Sequence, residues 1–362
     1  MDSLLLKKLS LVNFKNVENK SFDFDENINC FVGDNGIGKT NVLDSIYHLS
    51  MTKSYFSSVV SQAINHDAEF MLIEGNFQKG IKSENIISSL KRGQKKVLKR
   101  NGKKYKKFSS HIGLIPIVMI SPYDRDLIQE GSSNRRKFID NIISQNNKNY
   151  LNDLINYQKI LSQRNALLKY FKKNNNFDIE ILKVYNKQLF DLSIPIFKSR
   201  KDFFKNFITV FKNRYKSISD NKETVNISYD SQLNHESLDN LLNNSLEKDR
   251  ILQYTTCGIH KDDMNFEIDN YPIKKYGSQG QQKSFLIALK LAQFDYLKIE
   301  SNSPPILLLD DIFDKLDNKR VKQLINLVNN DEFGQLFISD TDTKRTEQIL
   351  NDINSTFKMF SL

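Results

Sequence analysis

The sequence predicts an α/β protein in which a β-rich lobe is followed by an inserted, short antiparallel helical arm. Three observations predict this class. Apolar residues alternate with polar ones in the first third, helical spacing runs from about Asp124 to Glu247, and strand and helix patterns alternate in the last third. The last pattern is typical of a parallel sheet. We therefore expect three parts: residues 1–123 and 248–362 as two halves of one head, and residues 124–247 as the arm.

The N-terminal strands are predicted from side-chain alternation. Apolar residues alternate over Leu4–Leu6 and Leu9–Val12 and again at Phe22 and Phe24. An apolar run, Ile28–Val32, precedes a glycine-rich loop. We expect these strands to surround one helix.

The middle of the chain has helical spacing. Phe138, Ile139, Ile142 and Ile143 recur with the period of a helix, and the pattern continues to a polar break at residues 172–176. A second long helix is predicted from Asp178 to Tyr215, with a kink at Pro195. A short strand is expected near residues 225–229, and strands and helices alternate beyond it.

Length and composition exclude several classes of protein. The chain has 362 residues, 39% of them hydrophobic, which is enough for a sizeable core. The longest apolar run, around Ile112–Ile120, is too short to span a membrane, and the N-terminus does not resemble a signal peptide. Cys30 and Cys257 lie far apart, so neither a disulfide scaffold nor a zinc site is expected. The prediction is a soluble, cytoplasmic protein without a membrane partner.

Ten basic side chains and no acidic one lie in residues 91–107. The chain has 53 basic and 43 acidic residues, so this segment accounts for its formal charge of +10. Within it, Asn101-Gly102 is typical of a two-residue hairpin turn with positive φ at both positions. Such a patch would neutralise nucleic-acid phosphates. The alternative is that an AT-rich genome favours lysine codons, in which case the segment is only a solvated hairpin. The candidate DNA-binding residues of the segment are Lys95, Lys96, Lys103 and Lys104.

The glycine-rich loop matches the pattern GxxxxGK[ST] between a predicted strand and a predicted helix. Its glycines would let backbone N–H groups surround phosphates, Lys39 would reach the β- and γ-phosphates, and Thr40 would hold Mg²⁺. The alternative is a glycine-rich turn without a ligand. The candidate ATP-binding residues of this P-loop are Gly33, Asp34, Asn35, Gly36, Ile37, Gly38, Lys39 and Thr40.

Two carboxylates follow the apolar run Ile306–Leu309. A buried strand would deliver Asp310 beside the P-loop to orient the Mg²⁺ ion, and Asp311 would polarise the attacking water as a general base. A buried strand ending in a capped turn is the alternative. Lys39, Asp310 and Asp311 are the candidate catalytic residues, and Thr40 and Asp310 the candidate metal ligands. The long separation between Lys39 and Asp310 predicts an insertion, for which the helical arm is the candidate.

A third motif, Ser278-Gln279-Gly280-Gln281, precedes a helical pattern. Its S-x-G-Q core resembles the signature motif of ATP-binding-cassette ATPases, although alone it is more often a helix cap. The order P-loop, signature, LLLDD is the one that the cassette requires. The resemblance adds Ser278, Gly280 and Gln281 to the candidate ATP-binding residues, because such motifs contact the γ-phosphate of ATP held on another subunit's P-loop.

Together these motifs resemble the RecF family of bacterial DNA-repair ATPases, which are related to structural-maintenance-of-chromosomes (SMC) proteins. The resemblance covers nearly the whole chain. Its further motifs are the opening LKKLSLVNFKNVENKSFDF, Ile120-Ser121-Pro122, Asn134–Asp140, Gln163–Leu168 and Gly258–Asp263.

The resemblance implies a cassette-type P-loop ATPase head with a β-rich lobe, dimerising around two ATP molecules with Mg²⁺. It implies an ATP-dependent homodimer that binds DNA at junctions between single-stranded and double-stranded regions and helps RecO and RecR load RecA. It also implies a slow, DNA-stimulated ATPase. A nucleotide-switched binding and recruitment module with little hydrolysis is the rival hypothesis, and a transporter-type motor a distant third.

The sequence departs from the wider cassette pattern at several positions. All five histidines lie at or before His260, so no switch histidine follows the strand ending at Ser339, and Asp340 or Thr341 would take its place. The predicted lid at Lys53–Phe56 has one basic residue where the family has two. Asp317 is expected at the dimer interface or as a helix N-cap.

Two further groups are open to alternative interpretations. Arg135 and Arg136 are candidate DNA-binding residues or belong to a solvated helix face, and Lys137 shares both alternatives. The His260–Asp263 segment contains metal-ligand residue types, but a polar turn is the expected interpretation.

Overall fold

The computed structural model describes residues 4–219, 223–311, 333–352 and 355–362. The chain forms two compact units. The first combines Met1–Asp124 with Leu286–Leu362, and the second is Arg125–Phe285.

The strands are β1 (Leu4–Phe14), β2 (Val17–Asp23), β3 (Ile28–Val32), β4 (Phe70–Lys79), β5 (Lys82–Lys91), β6 (Val97–Arg100), β7 (Lys103–Lys104), β8 (Ile117–Ile120), β9 (Val225–Asp230), β10 (Asp263–Ile268), β11 (Tyr271–Pro272), β12 (Ile306–Asp310), β13 (Leu336–Asp340) and β14 (Phe357–Ser361). The helices are α1 (Lys39–Met51), α2 (Asp126–Gln129), α3 (Ser132–Asn146), α4 (Lys148–Asn174), α5 (Ile179–Ser219), α6 (Leu238–Asn244), α7 (Leu246–Leu252), α8 (Ile273–Tyr276), α9 (Gln279–Ser301) and α10 (Thr343–Asn351).

The first unit contains an antiparallel sheet in the order β2-β1-β4-β5-β6-β7, which confirms the β-rich lobe. The alternation of β1 changes phase between Leu6 and Leu9, and the structure shows why. Its pairing with β4 shifts register between Leu6 and Lys8, so that Leu4, Leu6, Leu9 and Leu11 are all buried. Without this bulge the second pair of leucines would point to the opposite face of the sheet.

The first unit also contains a five-stranded parallel sheet in the order β14-β3-β13-β12-β8. Every residue of β3, β8, β12 and β13 is buried, which explains their continuous apolar runs. Two strands come from the N-terminal part of the chain and three from the C-terminal part. The predicted parallel sheet is therefore confirmed, and the two halves of the head complete each other.

Aromatic rings join the two sheets of the first unit. Phe22 of β2 contacts Phe31 of β3 and Phe360 of β14, and Phe24 contacts the same two rings and Phe337 of β13, with ring centroids 4.9 to 6.1 Å apart. Most of these pairs meet edge to face, which is the favourable arrangement for aromatic quadrupoles. This cluster is part of the hydrophobic core that supports β3.

In the second unit, α4 and α5 form an antiparallel helical hairpin, as predicted. Leu168 of α4 packs in one cluster with Leu182 of α5. Arg164 bonds Asn186, and nearer the hairpin's open end Arg200 bonds Tyr150. Contacts made by earlier residues of α4 are therefore made with later residues of α5, as in any antiparallel pair of helices. Helix α5 continues through Pro195, and the kink expected there stays a prediction.

A small antiparallel sheet in the order β11-β10-β9 completes the second unit. β9 lies in the predicted arm, whereas its partner β10 lies in the predicted C-terminal part of the head. Residues 248–285 consequently group with the helices, not with the head as predicted. The reason is backbone pairing between strands that are distant in sequence, which composition does not reveal.

In the part of the chain that the structure describes, no helix combines the length and apolar character needed to cross a membrane.

Candidate functional site

The P-loop connects β3 to α1 at the carboxyl edge of the parallel sheet. Gly38 is the N-cap of α1, with φ of 115°. A Cβ atom there would lie 3.0 Å from Asn16 Oδ1, so both the backbone conformation and the close approach of Asn16 require glycine. The loop borders a pocket whose lining includes Gly36, Lys39, Thr40 and Asp311. The N–H groups at the start of α1 make such a pocket favourable for an anion.

Lys39 is buried in the loop that precedes it. Its Nζ donates to Gly33 O at 2.6 Å and to Asp34 O at 2.8 Å. The ammonium group is thereby held at the centre of the loop. A phosphate oxygen there would accept the same protons, which is the role the sequence predicts for this lysine.

Asp310 ends β12 beside the P-loop and accepts hydrogen bonds from three hydroxyl groups. Thr40 Oγ1 and Ser339 Oγ each lie 2.8 Å from its Oδ1, and Ser121 Oγ lies 3.4 Å from its Oδ2. Burial raises the pKa of Asp310, while the Thr40 and Ser339 bonds act in the opposite direction. The structure therefore brings together Thr40 and Asp310, the two predicted metal ligands.

Asp311 lies at the same pocket and has an unusual backbone. Its φ is 51°, in the left-handed region that non-glycine residues seldom adopt. Its N–H is bonded to Ser339 O at 3.2 Å and to Ser339 Oγ at 3.0 Å. Strained residues of this kind cluster at functional sites.

In the second unit, the signature-like motif forms the N-terminus of α9. Ser278 is exposed. Its Oγ accepts from Gln281 N at 3.2 Å, and Gln281 Oε1 accepts from Ser278 N at 2.6 Å. This reciprocal pair is a capping box. The motif is thus a helix cap, as its local pattern suggested, and it also presents the N-terminus of a long helix at the surface.

Comparison with known proteins agrees with this geometry. The family model described as "RecF/RecN/SMC N terminal domain" matches residues 5–361. The DNA replication and repair protein RecF of Flavobacterium johnsoniae is 57% identical over 357 residues, with 99% of each chain covered. The chain belongs to the RecF family. The RecF protein of Phocaeicola vulgatus is 45% identical and covers 99% of this chain and 96% of its own.

Solved structures extend the RecF family match to the fold. A structure of the recombination mediator protein RecF-ATP in the RecFOR pathway has a TM-score of 0.88 at 32% identity, covering 94% of this chain and 93% of its own. Another, RecF-ATPrS, has a TM-score of 0.88 at 30% identity, covering 99% and 96%. The Smc head domain of Pyrococcus furiosus has a TM-score of 0.57 at 16% identity, covering 99% and 94%, and shows the shared fold alone. The predicted cassette-type head is confirmed.

The basic segment of this RecF-family chain forms the predicted hairpin. Asn101 has φ of 49° and Gly102 of 77°, which confirms the turn. Lys95, Lys103 and Lys104 are exposed. Lys104 stands directly across from Lys99, another exposed lysine of the segment. Like charges opposite one another destabilise a hairpin, so this pair favours an anion between or above the strands.

Lys96 differs from the other lysines of the hairpin. Its Nζ donates to Thr52 O at the end of α1 and lies 5.1 Å from the centroid of the Phe108 ring. Burial lowers the pKa of Lys96 to about 8. The Lys96 side chain thus points into the unit, where its ammonium group has an internal partner. Its role as a DNA contact stays a prediction.

Arg135 and Arg136 are also engaged within the second unit. Arg135 forms a two-pronged ion pair with Asp263, with N···O distances of 2.7 and 2.9 Å. Arg136 Nη1 donates to Asp262 O at 2.6 Å. Both guanidinium groups thus hold α3 against the start of β10 and the residue before it, so they do not form a solvated face. Their role as DNA contacts stays a prediction.

The His260–Asp263 segment is the predicted polar turn. His260 Nε2 donates to Thr255 O at 3.1 Å and its Nδ1 accepts from Tyr157 OH at 2.9 Å. Burial lowers the pKa of His260 to about 4, so the ring is neutral. No cluster of metal-binding side chains occurs among residues 4–219, 223–311, 333–352 and 355–362.

Three predicted details have different outcomes. Asp340 accepts from Arg345 at 2.8 Å and from Thr346, so its carboxylate is bound to α10, and a role in place of a switch histidine stays a prediction. Ser54 Oγ and Tyr55 N each lie 2.7 Å from an oxygen of Asp44, which anchors the predicted lid to α1. Asp317 lies outside the described residues.

Three residues beside the P-loop were not predicted as site residues from the sequence. Asn16 Nδ2 donates to Gly36 O at 2.9 Å, and Asn16 Oδ1 accepts from Asn41 at 2.6 Å. Ser121 and Ser339 donate to Asp310. Ser121 and Ser339 stand at or next to the carboxyl ends of buried strands, a position that could have identified them. Asn16 follows β1 and carried no such signal.

Proposed function

We propose that this chain is an ATP-dependent DNA-binding protein of recombinational repair and replication restart. In this proposal it binds junctions between single-stranded and double-stranded DNA at gaps, as a dimer that sandwiches two ATP molecules, and helps RecO and RecR load RecA. Membership of the RecF family supports the proposal, as do similar structures described as RecF-ATP in the RecFOR pathway. The contact of Thr40 with Asp310 is the single observation that carries the ATPase part.

The donor set around Asp310 fits Mg²⁺. Thr40 Oγ1 and Asp310 Oδ1 are oxygen donors 2.8 Å apart, and magnesium is typically bound by few carboxylates together with substrate phosphates. Burial disfavours the charged form of Asp310, which is why it raises the pKa of this carboxyl group. A bound cation would offset that cost by neutralising the carboxylate. When bound, Mg²⁺ would neutralise charge on the β- and γ-phosphates. Thr40 and Asp310 would hold it, Lys39 would bind the phosphates, and Asp311 would orient the attacking water.

Exposure of Ser278 supports the sandwiched dimer. Ser278 and Gly280 stand at the N-terminus of a helix of 23 residues, where N–H groups and the helix dipole favour an anion. In the proposed dimer they, with Gln281, contact the γ-phosphate bound by the partner's P-loop. Each ATP site is then composite, because it consists of the P-loop of one subunit and the signature-like motif of the other.

DNA would contact the exposed lysines of the basic hairpin. Lys95, Lys103 and Lys104 remain in this proposal and Lys99 joins them, because the register pairs it with Lys104. The proposal does not include Lys96, Arg135 and Arg136, since each has an internal partner. Flexible, hydrated ammonium groups suit contacts with phosphates more than recognition of base sequence.

Turnover of ATP tests the enzyme proposal. Lys39→Met removes the phosphate-binding ammonium, and Asp311→Asn keeps the side-chain size while removing the charge that orients water. We expect DNA-dependent ATP turnover to fall by at least about a hundredfold in each, for Asp311→Asn because a general base is lost and for Lys39→Met because a cation that stabilises charge on the transferred phosphoryl group is lost. Asp311→Asn should still bind ATP, which a fluorescent ATP analogue would measure. Wild-type turnover in both variants would refute the proposed hydrolysis.

The rival function is a nucleotide-switched binding module with little hydrolysis. The lack of a switch histidine after β13 favours slow turnover. A wild-type protein that binds ATP and DNA but shows no DNA-dependent turnover would support this rival.

A further inference from the structure

We infer that Ser339 is a positioning residue for ATP hydrolysis, whose hydroxyl holds Asp310 and Asp311 in their working arrangement. The inference rests on the proposed ATPase function and adds a residue to it. Ser339 lies near the end of β13, the strand next to β12, and is paired in register with Asp310.

A single hydroxyl group connects the two carboxylate residues. Ser339 Oγ donates to Asp310 Oδ1 at 2.8 Å and accepts the Asp311 N–H at 3.0 Å. The Ser339 hydroxyl therefore acts both as a hydrogen-bond donor and as an acceptor. Ser339 is fully buried, so water does not compete for these bonds. Loss of the hydroxyl would remove one of the two hydrogen bonds to Asp310 Oδ1, leaving the bond from Thr40, and would remove the shorter of the two bonds from the Asp311 N–H.

The Asp311 backbone depends on this hydroxyl. At φ of 51° the residue has left the strand geometry of β12 and adopts a left-handed conformation, which aspartate visits more often than most residues but which still costs free energy for a residue with a Cβ atom. The bonds from its N–H to Ser339 oppose relaxation to a more ordinary conformation. Without the hydroxyl, the Asp311 N–H keeps the longer bond to Ser339 O, at 3.2 Å. We therefore expect the Asp311 carboxylate to move away from the position it needs for orienting water.

The place of Ser339 in the site separates it from its neighbour Asp340. Ser339 lines the same pocket as Thr40 and Asp311. Asp340 is bonded to Arg345 and Thr346 on α10. Of these two residues at the end of β13, Ser339 is therefore the one that contributes to the site, and it does so by positioning Asp310 and Asp311.

The test is a comparison of Ser339→Ala with Ser339→Thr. We expect Ser339→Ala to lower the single-turnover rate of ATP hydrolysis about tenfold, the effect of one well-placed hydrogen bond. The dissociation constant for ATP should change less than about threefold, because Lys39 and the loop N–H groups are untouched. Ser339→Thr keeps the hydroxyl and should recover most of the rate.

Ser88→Ala is the matched control. Ser88 is also fully buried on a strand of the first unit, and its hydroxyl bonds His48 at 3.1 Å, outside the pocket. It should lower thermal stability without lowering the rate. The inference is overturned if Ser339→Ala hydrolyses ATP at the wild-type rate, or if Ser88→Ala loses as much of the rate as Ser339→Ala does. If the wild-type protein hydrolyses no ATP, the proposed function fails and this inference fails with it. If the wild-type protein hydrolyses ATP and Ser339→Ala does so at the same rate, the inference alone fails.

Discussion

Arg200 is a buried guanidinium group that gathers charged partners from separate parts of the sequence. Its Nη1 lies 2.6 Å from Asp262, its Nη2 2.9 Å from Asp140, and its Nε 3.1 Å from Tyr150 OH. Arg164 is likewise buried, against Asp249 at 2.7 Å. The RecF-family motifs that contain Asp140, Arg164 and Asp262 therefore have a structural role in the second unit.

The Arg200 contacts predict a large stability loss on substitution. Arg200→Met fills similar space but leaves Asp140 and Asp262 without their buried counter-charge. We expect the free energy of unfolding to fall by about 3–5 kcal/mol, measured by urea denaturation. Lys183→Met is the control, since Lys183 forms an exposed pair with Glu180, 2.7 Å apart, and should cost less than about 1 kcal/mol. Similar losses in both variants would contradict this account of Arg200.

At the scale of single residues, sequence predicted those with a local signal. The P-loop residues, Asp310 and Ser278 stand in recognisable patterns. The internal contact of Lys96 had no local signal, because its neighbouring lysine in the sequence is exposed whereas its own side chain reaches Thr52 across the fold. The ion pair of Arg135 had none for the same reason, since its partner Asp263 is distant in sequence.

At the scale of elements, the basic hairpin shows how local sequence specifies geometry. Asn101-Gly102 adopts the positive φ values of a tight turn, so β6 and β7 pair in a register that sets Lys99 opposite Lys104. The bulge in β1 is a similar case, because the leucine spacing itself changes phase where the register shifts. Both features are encoded within about a dozen residues.

The hairpin predicts a salt-dependent loss of DNA binding. Replacing Lys95, Lys103 and Lys104 by Gln should weaken binding to gapped DNA and lower the slope of log affinity against log salt by up to about three, one for each phosphate contact. ATP binding should not change, because these side chains lie outside the P-loop. Replacing Lys169, Lys172 and Lys173 of α4 by Gln removes equal charge at exposed positions and serves as the control. An unchanged slope in the hairpin variant would mean that the patch is only solvated surface.

At the scale of the whole molecule, the chain leaves its first unit after Asp124 and returns at Leu286. The carboxyl ends of β3, β12 and β13 then meet at one edge of the parallel sheet, which places Thr40 beside Asp310. The signature-like motif belongs to the second unit. The proposed composite site is a property of two copies of the chain.

The dimer predicts different behaviour with different nucleotides. In sedimentation experiments with gapped DNA, a non-hydrolysable ATP analogue should shift the protein to a dimer and raise its DNA affinity, whereas ADP should do neither. Ser278→Arg should block dimerisation yet leave analogue binding to the monomer's own P-loop, because Ser278 serves the partner's nucleotide. Equal DNA affinity with ADP and the analogue would contradict the ATP-sandwiched clamp.

The sequence alone determined the fold class, the strands and helices with strong periodicity, the tight turn at Asn101-Gly102 and the three motifs of the candidate ATP site. These depend on residues close together in the chain, whose spacing reflects backbone geometry. Tertiary structure decided the grouping of residues 248–285 with the helices, the inward course of Lys96, the partners of Arg135 and Arg136, and the contacts of Ser339 with both carboxylates. Each of these is a contact between residues far apart in sequence, and a side chain's partner across the fold leaves no trace in its local pattern.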